Sequence, residues 1–152
     1  MTPPRTVVIG VGNLLMKDEG IGIHIIRALQ GIDLPLDVEL VDGGTSPDLI
    51  AYAGDGDKII IIDAAKAGDE PGSIYLFKPE DLATERTILA SAHELGVAEN
   101  LKLAELAGNE PRETIIIGIE PKEIDWGTEL SPELKKRIPE IIKVVRREID
   151  KD

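Results

Sequence analysis

The sequence predicts an α/β fold: a doubly wound, mostly parallel five-stranded sheet with helices on both faces and one antiparallel edge strand. Three observations lead there. Apolar β-branched runs such as KIIIID (58–63) read as strands covered on both faces. Stretches with helical apolar spacing alternate with those runs, the order of a parallel sheet joined by crossover helices. The chain of 152 residues has the length of one domain, 1–152, and can bury about 70% of its unfolded surface.

The elements follow in turn. Thr6–Ile9 is a short buried strand running into Gly10. A helix is expected from about Glu19 to Leu29, because Ile21, Ile25, Ala28 and Leu29 recur on one helical face. DVELVD (37–42) alternates as a strand does and ends in the turn DGGT. Ser46 and Pro47 suit the N-cap and first position of a short helix, 47–53. PGSIYLFK (71–78) enters through a Pro-Gly turn and is the expected antiparallel edge strand. The Pro-containing, charged loop 79–92 is the least regular stretch and is expected to act as a lid. A helix at 94–107 and a buried strand at 113–121 come next. The closing helix carries Leu134, Ile138, Ile141, Val145 and Ile149 on one face, and Pro139 should kink or restart it.

Composition excludes several classes of function. Without cysteine there is no disulfide framework, thiolate nucleophile or thiolate metal site. The net charge of −12 argues against nucleic acid and anionic membranes, which select basic surfaces. It fits solubility, a cationic partner or a metal. No apolar run approaches the ~18 residues of a membrane span. MTPPRTVVIG does not read as a signal peptide, so a soluble cytoplasmic protein is expected. Scarce Gln and Asn with plentiful Glu, Lys and Ile lean towards a thermophile.

In open α/β sheets, ligands bind beyond the carboxyl ends of the strands. The expected strands run into GVGNLLMKDEG, Asp42-Gly43-Gly44, Asp63 and Glu120-Pro121, and each exit carries acid. The first exit looks like a dinucleotide turn, since Gly10 and Gly12 fit G-x-G-x-x-G. Leu15 occupies the third glycine position, and no Lys-Ser/Thr pair makes a P-loop. Asp18 and Glu19 would also repel phosphate, by about 4 kcal/mol at 4 Å in an effective dielectric of 20. The plain reading of that acidic pair is complementing the helix dipole, which suits Asp18. The flanking glycines suggest in addition that the backbone comes close to something.

Neither histidine announces catalysis alone. His24 flanks the first helix's apolar stripe and reads as an ordinary helix residue. His93, in SAHELG, opens a helix, a position that keeps the imidazole neutral and able to bind metal, although taken alone it reads first as a capping or packing histidine. HELGV is not H-E-x-x-H, because Val97 replaces the second histidine. No G-x-S-x-G elbow or other activated nucleophile appears. A carboxylate-rich edge without a nucleophile points to water, activated by a carboxylate or a metal.

Together these segments resemble the hydrogenase maturation endopeptidases, which process the large subunit of nickel–iron hydrogenases. GVGNLLMKDEGIGIHIIRAL, VDGGT, IIIIDAA, SAHELGVAENL and IIIGIEP, then ELSP, recur in the family's order along almost the whole chain. The resemblance implies that Glu19, Asp63 and His93 contact a metal and that Asp42, Gly43 and Gly44 line the substrate cleft. It implies an endopeptidase that removes the C-terminal extension of the large-subunit precursor after nickel insertion. Nickel would come with the precursor, and the free enzyme would hold no metal tightly. Glu19 and Asp63 are the catalytic candidates, in either an aspartic-type or a metal-assisted mechanism. No nucleic acid, nucleotide or membrane partner is expected. The alternative is a maturation chaperone that binds nickel or peptide without cutting.

Overall fold

The computed structural model describes residues 5–45, 54, 57–79, 88–89, 103, 105–108 and 111–151. Its main sheet contains β1 (Thr6–Val11), β2 (Val38–Gly44), β3 (Lys58–Lys66), β4 (Ile74–Phe77) and β6 (Glu113–Ile119), in the order β2-β1-β3-β6-β4. β1, β2, β3 and β6 are parallel, and β4 lies antiparallel to β6 at the edge. This is the expected mostly parallel sheet with its one reversed edge strand. A two-residue strand that the pattern did not predict, β5 (Ile88–Leu89), pairs antiparallel with the end of β3.

Alternation along each strand sorts the apolar side chains into two buried clusters. Val8, Ile60, Ile62, Ile115, Ile117 and Ile119 face two helices, α1 (Ile21–Leu29) and α2 (Pro132–Asp150). Val7, Ile9, Val11, Ile59, Ile61 and Ile116 form the second cluster on the other face. Ile59 to Ile62 are all fully buried, which is why β3 shows no polar alternation in the sequence. The expected helices at 47–53 and 94–107 and the lid at 79–92 lie largely outside the described residues.

The first helix begins differently from its expected form. Lys17–Gly20 is a 3-10 turn, and α1 starts only at Ile21. The junction between β1, this turn and α1 is tight. A Cβ on Gly22 would stand 2.2 Å from the Ile62 carbonyl oxygen and 2.5 Å from that of Val11. A Cβ on Gly12 would meet the Glu19 carbonyl oxygen at 2.0 Å, and Gly12 has φ 143°. The glycines of the opening motif therefore let the chain approach itself rather than a phosphate. α1 sits directly on β1 and β3.

α2 runs through Pro139 without the expected break. Pro139 is exposed, so the helix carbonyl it cannot pair is left to solvent. Ser131 caps the helix, accepting from Leu134 N–H, and Pro132 occupies its first turn. At its other end, the fully buried Lys58 Nζ donates to the carbonyl oxygens of Glu148 and, at 3.1 Å, Lys151. The start of β3 thus closes the last turn of α2.

Candidate active site at the carboxyl edge of the sheet

The chain passes from β1 out to β2 at one edge and returns to β3 on the other side of β1. The strand order therefore reverses between β1 and β3. In an open α/β sheet this switch point is where a crevice opens beyond the strand ends. Glu19 follows β1. Asp63 does not end its strand as expected: β3 runs on to Lys66, but its pairing with β1 stops at Ile62, so Asp63 stands just beyond the end of β1 beside that switch point.

Asp63 is fully buried. Its Oδ1 accepts from the Ala64 N–H at 2.8 Å, while Oδ2 has no hydrogen-bond partner among the described residues. A buried carboxylate with one unsatisfied oxygen is costly when ionised. Burial accordingly raises the Asp63 pKa well above the ordinary carboxylate value, the Ala64 N–H opposes the rise, and the Glu19 charge adds to it. Repulsion from Glu19 contributes, but burial is the larger cause. Glu19 is itself buried.

The acids at this edge have different duties. Asp18 is fully buried and spent on structure: Oδ2 accepts from the N–H groups of Lys122 and Glu123, both at 2.9 Å. Its Oδ1 accepts from Ser131 N–H at 2.7 Å, and the Ser131 hydroxyl donates to Oδ2 at 2.8 Å. Asp18 thus acts through specific hydrogen bonds, binding the turn that carries Glu19 to segment 122–131. Glu120, read as a fourth acidic exit, is also structural. Its Oε1 accepts from the N–H groups of Ala67, Gly68 and Asp69 and from the Tyr75 hydroxyl at 2.6 Å. Burial and Glu120 together drive the Tyr75 pKa upward. Neither network has a local signature, because the partners lie up to 113 positions away.

Asp42-Gly43-Gly44 closes β2 beside β1. Gly10 pairs with Asp42 and Val11 with Gly44, so Gly43 is an extra residue bulged out of register. A Cβ there would crowd Ile9 Cγ2 at 2.9 Å and the Gly10 carbonyl at 3.1 Å. Gly44 adopts a left-handed φ of 59°, and the Asp42 Oδ1 accepts from its N–H at 3.0 Å. His93 lies outside the described residues, and among the described residues no group of three or more His, Asp or Glu could hold a metal ion. His24 sits on α1 with its Nε2 unpartnered; burial first and Arg27 second lower its pKa, which keeps it neutral.

The sequence matches the hydrogenase maturation protease family model over residues 23–148. The chain belongs to that family, a family of peptidases. Hydrogenase 2 maturation protease of Escherichia coli is 34% identical over 137 residues, covering 88% of this chain and 84% of that protein. The hydrogenase expression/formation protein HupD of Thiocapsa roseopersicina is 35% identical, covering 93% of this chain but only 66% of its own length. The fold is similar to the hydrogenase maturating endopeptidase HybD from E. coli, with a TM-score of 0.81 and 30% identity over 93% of this chain and 89% of that one. The [NiFe] hydrogenase maturation protease HybD from Thermococcus kodakarensis is similar over 96% of this chain and 99% of its own, with TM-score 0.79 and 29% identity. Among the described residues, no helix is long and apolar enough to cross a membrane.

Proposed function

We propose that this protein is the cytoplasmic endopeptidase that removes the C-terminal extension from a nickel-loaded [NiFe] hydrogenase large-subunit precursor. The observation that carries the reading is Asp63, a buried carboxyl group at the switch point with one unpartnered oxygen, under the influence of Glu19. Family membership and the named relatives give that carboxyl pair a peptide bond to act on.

Water is the nucleophile in this reading. A cleft carboxylate, Asp63 or Glu19, takes a proton from the attacking water as general base, in the manner of an aspartic protease, and the burial that raises the Asp63 pKa suits it to that task. The precursor's nickel is part of the substrate. Glu19, Asp63 and His93 contact it, two carboxylates and one imidazole being a donor set compatible with nickel. In the free enzyme, the raised Asp63 pKa opposes metal binding, because ligation requires release of the carboxyl proton. Asp42, Gly43 and Gly44 line the path of the tail beside the crevice.

The test is to incubate the protein with nickel-loaded and nickel-free precursor and weigh the products. A shortened large subunit from the loaded form alone is expected. Asp63→Asn and Glu19→Gln should each slow cleavage by about 100-fold or more, and His93→Ala should weaken selection of the loaded form. A precursor of unchanged mass would overturn the protease reading and favour a binding chaperone.

A further inference from the structure

Leu15 and Trp126 stand out on a chain with little aromatic surface. Trp126 is its only tryptophan and is 75% exposed, and Leu15 is 55% exposed. They are distant in sequence but neighbours in the fold. The Gly127 N–H donates to the Leu15 carbonyl oxygen at 2.9 Å, and the Lys17 N–H donates to the Gly127 carbonyl oxygen at 2.9 Å. Met16 and Gly127 form a short parallel bridge between these two segments. One of the segments leads directly into the turn carrying Glu19, and the other is held to that turn by Asp18 through Lys122 and Glu123.

This platform is maintained at a cost. Lys17 is the only non-glycine residue among the described ones with a positive φ, 48°. A left-handed conformation is unfavourable for an ordinary residue, whose Cβ crowds the following carbonyl oxygen. Gly127, with φ 153°, sits opposite in a conformation that favours glycine. Strain that persists because surrounding contacts enforce it is concentrated at functional sites. Here it produces a turn that presents a leucine and a tryptophan to solvent beside the crevice.

The charges around the patch select a partner. Segment 122–129 holds Glu123, Asp125 and Glu129 against the single Lys122. Three nearby lysines are already committed, Lys17 to Glu123 at 3.1 Å, Lys122 to Glu133 at 2.5 Å and, more loosely, Lys135 to Glu129 at 3.9 Å, which leaves Asp125 as the acid of this segment that no lysine offsets among the described residues. Asp125 and Glu129 are exposed, on a chain of net charge −12. An apolar segment bearing Lys or Arg would complement this surface, its side chain stacking on the indole face. Tryptophan is also the residue type most enriched where a few side chains carry the binding energy of an interface.

We propose that Leu15 and Trp126 form a docking site, separate from the cutting site, for an apolar, basic-flanked segment of the protein substrate. This inference rests on the proposed function, because it takes that substrate to be the hydrogenase precursor. Docking at the platform would fix the precursor's body relative to Glu19, so that its tail enters the β1/β3 crevice already oriented.

The sole tryptophan reports on its own site. Adding nickel-loaded precursor to the Asp63→Asn protein, which should hold its substrate uncut, is expected to shift the Trp126 emission to the blue as precursor covers the ring. In the otherwise native protein, Trp126→Ser and Leu15→Ser should each raise KM for the precursor about 10-fold or more, leaving kcat and the melting temperature near wild type. Leu36→Ser is the control, a fully exposed leucine just before β2 at the amino end of the sheet, and should leave KM unchanged. Raising NaCl from about 50 to 500 mM should raise KM for the native protein but much less for Trp126→Ser. Native cleavage with unchanged KM in both platform variants, and no emission shift at saturating precursor, would overturn the docking site while leaving the protease reading intact. An emission shift without cleavage by the native protein would overturn the protease reading and retain the platform.

Discussion

Asp63 and Asp18 are both fully buried aspartates beside the same crevice, yet they differ in what their oxygens meet. Both Asp18 oxygens are filled by N–H and O–H donors, which replace the water lost on burial. Asp63 has a single backbone donor and one empty oxygen. The consequence is a pH-dependent stability with a defined sign. In the unfolded chain, Asp63 loses its proton near the ordinary aspartate value of 3.8, whereas the folded protein keeps it to higher pH. Between those two values the folded state binds more protons, so stability falls as pH rises through the folded pKa. Asp63→Asn, which keeps the size and the acceptor for Ala64 N–H, removes that dependence. Its melting temperature should exceed that of the native protein by a few degrees at pH 7, and the gap should close towards pH ~4. Thermal melts across that range would check this; a gap that is constant with pH would mean Asp63 is not held protonated by its surroundings.

Among the elements, the junction of β1, the 3-10 turn and α1 decides most of the site's geometry. Gly10, Gly12 and Gly22 each stand where an added Cβ would come within 2.3 Å of a backbone oxygen. That spacing lets α1 lie against β1 and β3 and brings the turn bearing Glu19 over the strand ends. Gly22→Ala is therefore expected to destabilise the protein by about 1–3 kcal/mol or more, since the Cβ would press on the carbonyls of Ile62 and Val11 and neither can move independently. Urea unfolding would measure the loss, and cleavage should fall further than the unfolded fraction explains, because Glu19 would be displaced with the helix. Gly31→Ala, with its nearest neighbour at 3.7 Å, is the matched control and should be close to neutral.

Across the whole molecule, the two ends of the sheet are used differently. At the amino ends, charge is consumed in stapling strands and helix together. Asp57 accepts from Arg5 Nε at 3.2 Å and from Gly54 N–H at 2.7 Å, and Lys58 closes the last turn of α2. At the carboxyl ends, Asp63 is left with an unmet oxygen. A fold can leave such a group unsatisfied only if the rest of the structure is stable enough to bear it. Lys58→Met should accordingly cost about 1–3 kcal/mol, because buried helix carbonyls lose their donor while the side-chain volume is kept. Hydrogen exchange should show the last turn of α2 opening more readily. The kcat of precursor cleavage should stay near the native value, because Lys58 lies at the opposite edge from the crevice.

By itself, the sequence determined the layered α/β plan, because full burial of β3 and the amphipathic stripes of α1 and α2 are local patterns that any single strand or helix reveals. The reversed edge strand was equally legible in its Pro-Gly entry. It also contained the family likeness and the candidate carboxylates, since Glu19 and Asp63 lie inside contiguous motifs. Only the tertiary structure decided which acids are spent and which remain available. Asp18, Glu120 and Asp63 look alike as strand-exit acids, and their difference lies in donors supplied from remote segments. Nor could spacing alone show that the opening glycines admit the chain's own backbone, or that Pro139 faces solvent and leaves α2 unbroken. A carboxylate's chemistry is set by the atoms around its oxygens, and those atoms are chosen by packing between segments rather than by the residues next to it.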